Sequence, residues 1–181
     1  MPSETEKLRT QLLVLRCMRD DPSAWPELVA AWERKMLYYI SRLVPRHHDA
    51  YDILQQVWFA AYRGIGRLDD PRDFSPWIYR IARNKAIDHR QLRLLKTTDA
   101  ADDLPTSDDH AQDRFDNAEA LHLALDRLSI AHREVLTLYF LEDFSVDQIA
   151  RVLEVPPGTV KSRLHHAKRD LRQLLENQEN P

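Results

Sequence analysis

Phe74–Lys96 reads FSPWIYRIARNKAIDHRQLRLLK, and the rest of the chain is best understood outward from it. Ser75 followed by Pro76 is a helix start: a hydroxyl able to accept from the backbone, then a ring whose φ is already helical. Ile78, Ile81, Ala82 and Lys85 follow at helical spacing and are expected to face a core. Arg80, Arg83, Asn84, Arg90 and Arg93 fall on the other side. From Trp77 to Lys96 there are six Lys/Arg against one Asp, a balance of +5 in a chain of net charge −3. Such a helix, with aromatics at its start and cations along one side, can follow a phosphate backbone and stack on unpaired bases. A solvated basic face has the same composition, and the stretch alone does not separate the two readings.

The 181 residues are 43% hydrophobic and 30% charged, enough for one globular domain or two small ones. No apolar run approaches 18 residues, so no membrane insertion is expected. MPSETEKLRT lacks an apolar signal core, and Cys17 is the single cysteine. Both fit a cytoplasmic protein without a disulfide framework.

Upstream of the basic stretch, Gln11–Arg19 reads as a short helix, and Asp20-Asp21-Pro22 breaks it. Ser23 is expected to cap the next helix. There Leu28, Trp32, Met36, Tyr39 and Leu43 step at four, four, three and four residues, as a core stripe does. Pro45 ends it, and His47-His48 reads as a surface turn rather than a metal site. Asp49 and Asp52 open a helix over Asp49–Arg63, with Ile53, Val57 and Ala60 as its buried line. Asp52, Gln55, Gln56, Phe59 and Tyr62 lie mostly on the other side. An exposed Phe and Tyr beside a carboxylate and amides are more than solvation requires and read as a protein-docking surface, with a satellite core contact as the alternative. Gly64–Asp73 is a loop by its turn chemistry.

Downstream, Thr97–Asp113 holds six Asp and no Lys or Arg. It is expected to be a solvated linker, able to span at most about 60 Å. Beyond it, Phe115, Leu121, Ala124, Leu125 and Leu128 mark one amphipathic helix. Val135, Leu136, Leu138, Tyr139 and Phe140 mark a second. Ser145 and Gln148 form a capping box, and Val146, Ile149, Ala150 and Leu153 are the buried side behind it. The connection Glu154–Gly158 leads to a helix over Thr159–Leu175, with Val160, Leu164, Ala167 and Leu171 inward. Lys161, Ser162, His165, His166 and Arg169 face outward, flanked by Thr159 and Arg163. Lys161–Arg172 carries five cations and one Asp, a balance of +4. Two helices, a short turn and a basic second helix match the helix-turn-helix plan, with a plain helical hairpin as the alternative.

These segments together resemble the small bacterial RNA polymerase sigma factors of the extracytoplasmic-function type, within the sigma-70 family. Asp21–Ile40, Asp49–Ile65 (DAYDILQQVWFAAYRGI) and Phe74–Gln91 (FSPWIYRIARNKAIDHRQ) look like parts of sigma region 2. Leu125–Leu171 looks like sigma region 4. The resemblance implies an all-α fold of two small helical domains. Residues 8–96 would be the region 2-like domain, 97–113 the acidic linker and 114–176 the region 4-like helix-turn-helix domain.

It further implies that the protein binds core RNA polymerase through the largest-subunit clamp, directs transcription initiation at promoter DNA and is held by an anti-sigma factor. Asp49, Asp52, Gln55, Gln56 and Phe59 would contact polymerase. Arg80, Arg83, Asn84, Arg90 and Arg93 would contact the −10 element, with the loop Gly64–Ser75 taking a flipped base. Thr159, Lys161, Ser162, Arg163, His165, His166 and Arg169 would read the −35 element. Three positions depart from the family pattern: Tyr51 where an acid is common, Glu154 where Gly is common, and Pro156 where a capping hydroxyl is usual.

No cofactor and no enzymatic activity are expected. Glu119-x-x-His122 is half of a di-iron helical motif and has no second copy, and there is no phosphate loop, HExxH or cysteine pair. A conventional helix-turn-helix regulator is the remaining alternative, although a sensor domain has no need of a second basic helix.

Overall fold

The computed structural model describes residues 3–96 and 116–179; the expected linker Thr97–Asp113 and Phe115 lie outside them. Every regular element among the described residues is helical. The chain divides into two compact units, Met1–Thr106 and Ser107–Pro181.

The first unit opens with α1, Glu4–Met18. It starts earlier than its apolar pattern suggests because Ser3 and Glu6 form a reciprocal capping box. It ends where Asp20 takes a left-handed backbone, φ 58°, and its N–H donates to the Cys17 carbonyl at 3.1 Å.

In α2, Ala24–Ser41, the expected stripe Leu28, Trp32, Met36, Tyr39 is buried, and Leu43 is buried just beyond. Ser23 does not cap this helix. Its backbone is already helical, and its hydroxyl is engaged with Asp21 and Arg16 instead.

Next comes α3, His47–Gly64, two residues ahead of the expected Asp49 start. Its buried line is Ala50, Ile53, Leu54, Val57 and Ala61, with Ala60 only half-buried. Gly64 is its last residue, and a Cβ there would stand 3.1 Å from the Trp77 ring.

Two single turns, Ile65–Arg67 and Pro71–Asp73, lead into α4, Phe74–Lys96. The start signal for this run is Asp70-Pro71 rather than Ser75-Pro76. The Asp70 carboxylate accepts from the Arg72 N–H at 2.8 Å, and Pro71 supplies the preset φ. On α4 the core takes Phe74, Ile78, Tyr79, Ala82 and Ala86, and leaves Ile81 and Lys85 half-buried. Edge-on rings cement it: Trp32 on Phe74 at 5.2 Å and Tyr39 on Tyr79 at 4.8 Å. Two of the aromatics at the start of α4, Phe74 and Tyr79, are therefore core residues without a face for a base.

The second unit begins with α5, Asp116–Arg127, and α6, Ile130–Leu136. Arg133 joins them by donating to the carbonyls of Leu125 (2.9 Å), Asp126 (2.6 Å) and Leu128 (3.2 Å). These carbonyls lie at and just beyond the end of α5, where the helix supplies no further i+4 donors; that of Leu125 also takes the Leu128 N–H at 3.2 Å. A wider π turn, Thr137–Leu141, follows and stops at Asp143, φ 56°. It buries Leu138 but leaves Phe140 exposed, so the second apolar helix is not inward along its whole length. Then α7, Val146–Leu153, and α8, Pro157–Glu179, complete the unit. Ile149, Ala150, Val152 and Leu153 of α7 meet Val160, Leu164 and Ala167 of α8 in a single core, while Val146 is half-buried.

Candidate nucleic-acid interfaces

In the first unit, the core side of α4 is apolar and so sets which of its cations reach solvent. Arg80 and Asn84 are exposed, one helical turn apart; Arg83 and Arg90 are half-buried beside them. The basic face is therefore accessible, and it runs along a helix whose position is fixed by Ile78, Ala82 and Ala86.

Arg93 departs from the expected set. Its side chain is 18% exposed, and its Nη1 donates to Asp49 Oδ2 at 3.0 Å. Asp49 departs for the same reason. Its residue is 7% exposed, and its second oxygen lies 3.1 Å from His48 Nε2 and 3.8 Å from His89 Nε2. In this structure that carboxylate is engaged within its own unit, on Arg93 and beside the two histidines.

The other expected docking residues do share one surface. Asp52, Gln55, Gln56 and Phe59 are all exposed on α3, Phe59 by 64%. Tyr62 is exposed as well, with its ring edge-on to Trp25 at 5.2 Å. Gln55, Gln56 and Phe59 line a shallow concavity with Ala60, Arg63 and Lys85. The Arg63 guanidinium lies 5.4 Å from the Phe59 ring. Arg63 and Lys85 were absent from the expected set. Arg63 follows Phe59 by four residues, a spacing that places both on one face; Lys85 comes from α4, which no local spacing reveals.

Before α4, the Asp70 carboxyl is held below the usual carboxylate range. The Arg72 side chain beside it is the main cause, with the Arg72 N–H adding to it. The guanidinium donates through Nε at 2.8 Å, and its own pKa is raised in return. This acid and base of the loop neutralise each other.

In the second unit, the Ser145 hydroxyl accepts from the Gln148 N–H at 3.2 Å, and the Gln148 side chain accepts from the Ser145 N–H at 2.9 Å. The expected capping box is thus formed. Glu154 turns the chain in the left-handed region, φ 55° and ψ 44°, and the Val155 N–H reaches the Ala150 carbonyl at 3.2 Å. The turn between the helices is built on that one residue. Pro156 offers its carbonyl to the Thr159 N–H at 2.9 Å, so the start of α8 is closed without a hydroxyl cap.

Along α8, Lys161, Ser162, His165, His166 and Arg169 are exposed together, and Thr159 and Arg163 are half-buried at the margin. The Ser162 hydroxyl donates to the Thr159 carbonyl at 3.0 Å. Arg169 lies 3.4 Å from Asp170, which also meets His132 at 3.0 Å. The result is a helix with a polar, basic face exposed to solvent, of the kind that can lie in a major groove.

Comparison with known proteins agrees with this geometry. The Sigma-70 region 2 family model matches residues 28–94, and the Sigma-70, region 4 model matches residues 118–171. RNA polymerase sigma-H factor of Pseudomonas aeruginosa is 32% identical over 92% of this chain and 93% of its own length. ECF RNA polymerase sigma factor SigW of Bacillus subtilis is 27% identical over 87% and 91%, and ECF RNA polymerase sigma-E factor of Escherichia coli 28% over 98% and 97%.

Among solved structures, the sigma factor RpoE from Bartonella quintana shares the fold with a TM-score of 0.75 at 22% identity, covering 83% of this chain and 96% of that one. CnrH does so with a TM-score of 0.66 at 21% identity, covering 93% and 97%. With a region 2 helix bundle carrying a basic face and a region 4 helix-turn-helix in chain order, the protein belongs to the extracytoplasmic-function RNA polymerase sigma factors of the sigma-70 family.

Proposed function

We propose that the work of this sigma factor is divided among three residue sets. Asp52, Gln55, Gln56 and Phe59 on α3, with Arg63 and Lys85 beside them, seat the protein on core RNA polymerase. Arg80, Arg83, Asn84 and Arg90 on α4 hold the −10 element as its strands part, with the loop Gly64–Ser75 receiving a flipped base. Thr159, Lys161, Ser162, Arg163, His165, His166 and Arg169 on α8 read the −35 element. The corresponding division of the chain is residues 8–96 for polymerase and −10 contacts, 97–113 for the linker and 114–176 for −35 contacts. In this role the protein is an initiation factor and not an enzyme, and it works in the cytoplasm, where core polymerase and promoter DNA are found.

The observation that carries this reading is that two separate basic helices, α4 and α8, each bury one side in their own unit and leave basic side chains exposed on the other, Arg80 on α4 and Lys161 and Arg169 on α8. Two weak sites joined by one chain gain effective concentration on two promoter boxes. An anti-sigma partner belongs to the same reading. RpoE was solved with the anti-sigma factor NepR and CnrH with the cytosolic domain of CnrY, and the exposed Phe59 and Tyr62 of this chain offer an apolar surface to such a partner.

The test is transcription in vitro, with purified core polymerase and a library of promoters varied at −10 and −35. The protein is expected to select a two-box subset. Tight binding to duplex DNA without any association with core enzyme would replace this reading with that of a conventional helix-turn-helix regulator.

A further inference from the structure

Beyond Ala86, α4 loses its apolar anchorage. Among the described residues from 87 to 95 none is buried, and Leu92, Leu94 and Leu95 are 57%, 71% and 76% exposed. A helix end of that kind frays unless something other than hydrophobic burial holds it. The Asp49 carboxylate stands at this place. It comes from the first turn of α3, where the helix dipole already favours an anion. One oxygen accepts from Arg93 at 3.0 Å, and the other lies 3.8 Å from His89. Both partners belong to the last third of α4, and both side chains are largely covered, at 18% and 24% exposure. Because Asp49 is itself buried, the pair is shielded from solvent and salt far better than a surface ion pair.

We propose that Asp49 is the positioning residue of the DNA-binding helix. Through Arg93, with His89 close by, it keeps the last turns of α4 helical and aligned on α3, so that Arg90 stays in line with Arg80 and Arg83. This inference rests on α4 being the −10 interface. It gives Asp49 and Arg93 a shared task in place of separate contacts with polymerase and DNA.

The experiment uses the full chain carrying Asp49→Asn, Asp49→Glu, Arg93→Met, or Asp49→Asn with Arg93→Met. Amide hydrogen exchange of the free protein reads the positioning itself. Asn is expected to speed exchange at residues 88–95 and to leave residues 78–86 unchanged, which also shows that the unit has folded. Affinity of the reconstituted holoenzyme for promoter DNA is expected to fall about tenfold with Asn, the worth of one charge-assisted hydrogen bond.

Glu, which keeps the carboxylate, is expected to restore most of that affinity. The double variant is expected to lose no more than the worse single variant, as partners in one contact do. Affinity for core polymerase is expected to stay within about twofold, since a lost direct contact at a hot spot would cost far more.

Unchanged exchange at residues 88–95 overturns the proposal. So does a loss of core binding in the Asn variant, which would return Asp49 to the polymerase surface. If exchange rises but promoter affinity holds, the alignment has no consequence for DNA and the proposal again fails. That outcome is told apart from a failure of the −10 reading by Arg80→Ala with Arg83→Ala, which weakens promoter binding only where α4 is the interface.

Discussion

The Nζ of Lys168 stands 4.5 Å from the centroid of the Tyr139 ring, and 5.1 Å from that of Phe140. Lys168 lies on α8 within the basic run, yet its charge is directed at the π turn that closes α6. Replacing it with Met keeps the apolar stem and removes the cation. The expected cost is about 0.5–1 kcal/mol of stability of the second unit, the usual range for an exposed cation–π contact. Urea unfolding measures it, and the preferred −35 sequence should not change. An unaltered midpoint would mean that the contact is not formed in solution.

Glu154 is a further feature that a residue change can probe. It holds φ 55° and ψ 44° while exposed to solvent. A Cβ in this region is strained, and glycine carries no such penalty. Glu154→Gly is therefore expected to raise stability by up to about 1 kcal/mol, less the extra entropy that glycine gives the unfolded chain. Thermal unfolding decides it: a clear fall in midpoint would show that the carboxylate contributes something the backbone geometry does not reveal.

The same residue marks the kind of feature that local sequence carries. The turn before α8 and the Ser145–Gln148 box were legible because capping chemistry is local: three or four residues hold the whole signal. The stripe Leu28–Trp32–Met36–Tyr39 was legible for a related reason, since helical period alone places it inward. The exposed polar face of α8 follows as the complement of Val160, Leu164 and Ala167.

What local spacing does not carry is competition between groups for the same partner, near or far along the chain. Asp49 looked like one more acid at a helix start, because Arg93, 44 residues away, is invisible to local spacing. Ser75-Pro76 looked like the start of α4, because the competing cap at Asp70 precedes a turn too short to have a period. Ser23 had the composition of a cap, but Asp21 and Arg16 engage its hydroxyl.

That Ser23 cluster makes a prediction about acid. Asp21 accepts from the Ser23 hydroxyl at 2.7 Å, the Ser23 N–H at 2.9 Å and Arg16 Nε at 2.8 Å. The Ser23 hydroxyl first, and then the Arg16 guanidinium, lower its pKa from 3.8 to about 2. A carboxyl depressed by folding stabilises the folded state fully above its unfolded pKa. That contribution is lost as pH falls through the folded value. The difference in urea midpoint between the protein and Asp21→Asn is thus expected to be constant above pH 3.8 and to shrink from there toward pH of about 2. A difference that stays flat across this window would show that Asp21 is not held by these donors.

Arg80 is exposed and Arg83 half-buried on the side of the helix that turns away from Ile78 and Ala82. If both neutralise phosphates, binding releases the counterions those phosphates held, and affinity falls with salt accordingly. Each contact contributes about 0.7–0.9 to the slope of log affinity against log salt, so Arg80→Ala with Arg83→Ala should flatten that slope by roughly 1.5. The loss should be similar for different promoter sequences, because a phosphate is the same at every base pair. Promoter affinity of the holoenzyme, measured over a salt series, provides the check. A weakened but parallel salt dependence would mean that the two arginines act by shaping the helix and not by meeting the backbone of DNA.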